Sequence, residues 1–133
     1  MTLEIQHALA ALFRTAEAFD GLAIHASSDD QEIPGDQSAL VVACDTAESP
    51  VAGLYRATVQ ITLSTPCILQ DGLEAHRALA TVLRQQLGDL ARLSTHLPET
   101  LAYSGRHLSQ WNDSREDERW LTTAELAVGV REI

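Results

Sequence analysis

The stretch LYRATVQITLS (Leu54 to Ser64) alternates without a break. Tyr55, Ala57, Val59, Ile61 and Leu63 fall on one side, and Arg56, Thr58, Gln60, Thr62 and Ser64 on the other. A repeat of two is the period of a strand, and it leaves no apolar stripe for a helix. One face of this strand must find a cover. The opposite face is polar but, apart from Arg56, carries no charge, so it suits either water or a subunit contact.

The cover comes from two helical patterns. Ile5, Leu9, Leu12, Ala16 and Phe19 recur at steps of three and four, which predicts an amphipathic helix. Thr2 is placed to cap its start, and Gly21 to end it in the left-handed conformation. Residues 71–93 predict a second helix, with Leu79, Leu83, Leu87 and Leu90 facing the core and Arg77, Arg84, Gln85 and Arg92 facing outward. Asp71 and Glu74 have the spacing of a capping box, and Gly88 marks a bend or break.

The remaining apolar runs read as strands. These are residues 21–27, the run ALVVACD (39–45), Leu101 to Trp111, and Arg119 to Val130. In the last, Trp120, Thr122, Ala124, Leu126, Val128 and Val130 share one face. Residues 28–38, 46–53 and 112–118 read as loops. The order α-β-β-β-α-β-β predicts a single α+β domain of 133 residues. A mostly antiparallel sheet of four to five strands would carry two helices on one face. A chain of this length buries a little under ~70% of its unfolded surface, enough for one core.

Charge narrows the function classes. Nine Arg and no Lys face 19 Asp+Glu, for a net charge of -10. Such a chain repels polyanions, which argues against gripping nucleic acid. No apolar run reaches the ~18 residues of a membrane span, and the first residues lack a secretory leader pattern. Cys44 and Cys67 lie in or beside apolar runs without CxxC spacing, the pattern of two buried thiols in a reducing compartment. Nothing in the sequence decides whether they pair.

Catalytic and metal patterns are absent. His7, His25, His76, His96 and His107 show no HExxH or zinc spacing. His7 and His76 sit on helices as surface or boundary residues. His25 and His107 lie in strands and could meet across a sheet, which keeps open a small enzyme or ligand-binding domain with a His/carboxylate cleft. No GxSxG, GxGxxG or phosphate loop is present. The carboxylates at Asp29–Asp30 and Glu116–Asp117–Glu118 read as solvated runs. No catalytic, cofactor or metal residue is predicted.

Taken in order, "ALVVACDTAES", "YRATVQITLSTP", "LEAHRALATVLRQQLGDLARL" and "YSGRHLSQWNDSREDERWLTTAELAVGVREI" resemble the tail terminator (tail completion) proteins of long-tailed bacteriophages. Closely related neck and head-tail connector proteins are similar too. The likeness lies in length, acidity and element order across nearly the whole chain. It implies a virion protein made in the host cytoplasm that forms a ring, usually a hexamer, at the head-proximal end of the tail. It also implies tail-tube and neck proteins as partners, a lumen through which DNA passes unbound, and no membrane or cofactor. The candidate subunit or channel surfaces are the strand face Arg56, Thr58, Gln60 and Thr62, and a hairpin anchored by Trp111 and Trp120. That hairpin would carry the charged tip Asp113, Arg115, Glu116, Asp117, Glu118 and Arg119. An adaptor of a contractile injection machine is a further reading of the same pattern.

Overall fold

The computed structural model describes residues 1–27, 33, 35–69, 71–116 and 118–133. The order is α1 (Thr2–Arg14), β1 (Ala23–Ala26), β2 (Ala39–Val51), β3 (Leu54–Pro66), α2 (Gly72–Gly88), β4 (Leu101–Glu116) and β5 (Arg119–Glu132). Short 3₁₀ turns at Glu17–Phe19 and Ala91–His96 follow the two helices. This is the expected α+β order with those turns added.

The five strands form one sheet in the order β1-β2-β3-β5-β4. Only β1 and β2 are parallel; the other pairs are antiparallel. Buried residues of β2, β3 and β5 (Leu40, Val42, Val59, Ile61, Leu63, Leu126, Val128) meet Ile5, Leu9 and Phe13 of α1 and Leu83 and Leu87 of α2 in one core. Each such side chain taken from water contributes about 1.5–3 kcal/mol, so both helices lie on the apolar sheet face. The opposite face stays open.

Several local expectations are corrected. Neither helix has a side-chain cap: Thr2 is already helical, and Asp71 sits at the N-cap in the left-handed region (φ 55) with no capping bond. Thr15, not Gly21, ends α1; its hydroxyl donates to Leu12 O at 2.6 Å, and Gly21 (φ 83) turns the chain into β1 instead. Helix α2 stops at Gly88, and Leu90, Leu93 and Leu97 continue into the core from the 3₁₀ turn.

Two predicted loops are strand. Residues 46–51 remain paired to β3, and Asn112 to Glu116 remain paired to β5. The pairing partner, not the residues' own pattern, holds both. The loop at 28–38 falls partly outside the described residues, as does Asp117.

Cys44 and Cys67 are unpaired. Cys44 is buried, whereas Cys67 is only half-buried in the turn after β3, which corrects the expectation of two buried thiols. Cys44 lies opposite Val59, eight residues before Cys67, so about 26 Å of strand separates the two positions.

Candidate functional site

The sheet order settles where the predicted residues lie. His25 is on β1 and His107 on β4, the two opposite edges of the sheet. Four inter-strand steps of about 4.8 Å keep them roughly 19 Å apart. They do not form a cleft.

Arg56, Thr58, Gln60 and Thr62 do share the open face, as expected. Register extends that face sideways: Thr62 lies opposite Thr123, Gln60 opposite Glu125 and Thr58 opposite Ala127. Beyond β5, Asn112 and Gln110 of β4 continue it, and on the other side Val41 and Ala43 of β2. Across these eleven positions Arg56 and Glu125 are the charges, and Glu48 lies opposite Arg56 at the end of the face.

A concavity lies on the other side, between α2 and the far end of the β4–β5 hairpin. It encloses about 640 Å³, within the range of ligand pockets. Helix α2 contributes Arg77, next to His76, and Arg84, about two turns further on; the hairpin contributes Trp111, Asp113, Arg115 and Trp120. Trp111, Asp113, Arg115 and Trp120 belong to the inward side of the hairpin because they pair with Ala124, Thr122, Trp120 and Arg115 respectively. Both tryptophans are half-buried walls of the cleft.

His76 forms its floor, with only 4% of its surface exposed. This corrects the surface placement expected from sequence. Its Nε2 lies 2.8 Å from Thr122 Oγ1 and its Nδ1 3.0 Å from Thr65 Oγ1. The Thr122 hydroxyl donates to Asp113 Oδ1 at 2.6 Å. A hydroxyl has one proton, so Thr122 must accept from Nε2–H, and neutral Nδ1 accepts from Thr65. Burial lowers the His76 pKa, with Asp113 pulling weakly the other way. The chain Thr65→His76→Thr122→Asp113 ties α2 to three strands. Both ring nitrogens are engaged, so taking up a proton at Nδ1 would cost the bond from Thr65. The floor is a structural brace.

The walls are cationic. The Arg84 guanidinium sits 5.1 Å from the Trp111 ring centroid and that of Arg115 5.2 Å from Trp120, both within cation–π range. Among the described residues, Arg77, Arg84 and Arg115 have no carboxylate within ion-pair distance. Among the described residues lining the cleft, Asp113 is the one carboxylate. Arg119, named above as a subunit or channel residue, donates within its own chain to Gln37 O at 2.6 Å and to Ser64 Oγ at 3.1 Å. It clasps the segment before β2 to the end of β3. Glu116 and Glu118 are exposed at the hairpin turn, Glu118 with φ 66, while Asp117 lies outside the described residues.

Among the described residues no group of three His, Cys, Asp or Glu is placed to hold a metal, and no helix is long and apolar enough to cross a membrane.

No family model matches the chain, and no curated protein does. A solved structure whose name states no function aligns with 96% of this chain and 95% of its own, at TM-score 0.51 and 17% identity. The likeness is one of fold.

Proposed function

We propose that this chain is a ring-forming structural protein of the phage tail-terminator kind, closing the head-proximal end of a tail and working by shape rather than by reaction. The observation that carries this reading is the sparsely charged open face, neutral from Thr58 to Thr62 and across to Thr123 and Asn112, in a chain of net charge -10. A sheet face turned only to water is free to carry the chain's many carboxylates. This one carries Thr58, Gln60, Thr62, Thr123 and Asn112, short or neutral groups that a neighbour can cover without stripping water from charge. Glu125 and Glu48 apart, the carboxylates lie off these positions, and the chain's net negative charge would keep a DNA passage free of phosphate contacts.

The tail and neck proteins, the virion location and the ring number come from the family resemblance. Light scattering and negative-stain microscopy of concentrated protein test the reading, with closed rings of about six copies expected for a heterologous contact that closes. Thr58→Arg with Asn112→Arg should leave a folded monomer. A wild-type chain that stays monomeric at millimolar concentration, with tail-tube protein present, overturns it.

A further inference from the structure

Three of the chain's nine arginines converge on the cleft between α2 and the β4–β5 hairpin. Arg14, Arg106 and Arg119 are tied to backbone carbonyls of their own chain. Arg77, Arg84 and Arg115 have no such carbonyl and no carboxylate among the described residues. Two of them are already ordered on tryptophan faces, so the entropy of fixing a long side chain is largely lost before anything binds. The cleft is prepared for carboxylates.

At the other end of the sheet lies a matching element. From Asp45 onward β2 runs past β1 and is exposed along most of its length; this free edge and the β2–β3 turn form an arm, backed by β3, which stays paired to β5. The arm carries Asp45 and Glu48, and its tip carries Val51 at 60% and Leu54 at 42% exposure. Leu54 begins β3, and Thr65, near its end, pairs with Trp120 of the cleft. Eleven residues of strand, about 36 Å, therefore separate tip from cleft, so a chain cannot fill its own site. A copy placed end to end can.

We propose that the cleft receives the β2–β3 arm of the next copy, the arm's carboxylates on the free guanidiniums and its apolar tip against Trp111, Trp120 and Leu73. The contact is head-to-tail, the kind that closes into a ring. This deepens the ring reading above and rests on it. A DNA duplex would bring one charge per ~1.7 Å against a net negative chain, whereas the arm brings two carboxylates, with Arg56 beside Glu48 as their one cation among its described residues.

Two variants test it. Arg77→Glu with Arg84→Glu breaks the cleft and keeps the arm; Asp45→Arg with Glu48→Arg breaks the arm and keeps the cleft. Each alone should be a monomer with wild-type circular dichroism. Mixed, they should give a one-to-one dimer that grows no further, because one intact arm meets one intact cleft. Rings formed by either variant alone, or no dimer on mixing while the wild type forms rings, overturn the proposal and leave the ring reading standing.

If the wild type is itself monomeric, the ring reading fails, and the cleft is judged by fluorescence. Trp111 and Trp120 are the chain's two tryptophans, and both line the cleft. A synthetic peptide of residues 43–56 should shift their emission saturably, with at least tenfold weaker binding to the Arg77→Glu, Arg84→Glu chain. No shift up to millimolar peptide, or an equal shift with inorganic phosphate alone, overturns the proposal.

Discussion

Protonating His76 means breaking its bond from Thr65 inside a buried floor, and this gives the residue a measurable signature. Burial holds its native pKa below the ordinary histidine value. As pH falls below about 6.5, the unfolded chain therefore takes a proton that the folded chain refuses. The stability present above that pH is lost as pH drops toward the depressed native value. Urea midpoints at pH 7.5, 6.5 and 5.5 should fall in the wild type. In His76→Gln the curve should start lower by about 1–3 kcal/mol, for the bonds left unmade, and run flatter. A second residue-scale test separates the thiols. Burial, helped by Asp45, pushes Cys44 up to about 11, so at neutral pH it is a protonated, enclosed thiol. A thiol reagent added to native protein should titrate Cys67 alone, and Cys44 only after denaturant. The buried place of His76 was legible: His76, Ala80, Leu83 and Leu87 step by four, three and four along one helical face. Attention to leucines alone hides a polar member of a core stripe.

Helix α2 begins under a constraint that outweighs helix propensity. Gly72 is its first residue, and a Cβ added there would lie 2.9 Å from the Pro66 carbonyl oxygen, a backbone atom with no rotamer to change. Propensity alone favours Ala over Gly by about 1 kcal/mol within a helix. The steric conflict works against it, at about 1–3 kcal/mol for an overpacked site. Gly72→Ala should thus be net destabilising in a chemical-denaturation series, whereas the same change at Gly88, with nothing within 4 Å of its added Cβ, should be neutral or mildly stabilising. At this scale the sequence speaks unevenly. Strand β3 is plain because one face meets the core and the other does not. Residues 46–51 are almost wholly exposed and include Pro50, so their pattern resembles a loop. They are strand because β3 pairs them. Proline is tolerated there because β1 pairs only with Ala39–Val42 and leaves the outer edge of β2 free. The cleft was less legible still: Arg77 and Arg84 lie some thirty residues or more from Arg115 and Trp120, and only the insertion of β5 between β3 and β4 brings the hairpin against α2.

For the whole molecule, charge acts at two ranges with opposite sign. A net charge of -10 repels copies at long range, while the proposed contact of cleft and arm would attract at short range. Salt weakens both, but not together. The Debye length is about 10 Å at 0.1 M and about 3 Å at 1 M, so moderate salt removes the long-range repulsion while ion pairs in a half-enclosed cleft persist. Further salt then screens those pairs as well. Association of the wild type should therefore rise from 0.01 M sodium chloride to a maximum near 0.1–0.2 M and fall toward 1 M, as followed by light scattering. A rise that continues to 1 M would mean that the sparsely charged open face carries the contact without the cleft. A fall from the lowest salt would mean that attraction between charges governs encounter from the start, and that the -10 is arranged so that approaching copies never meet it.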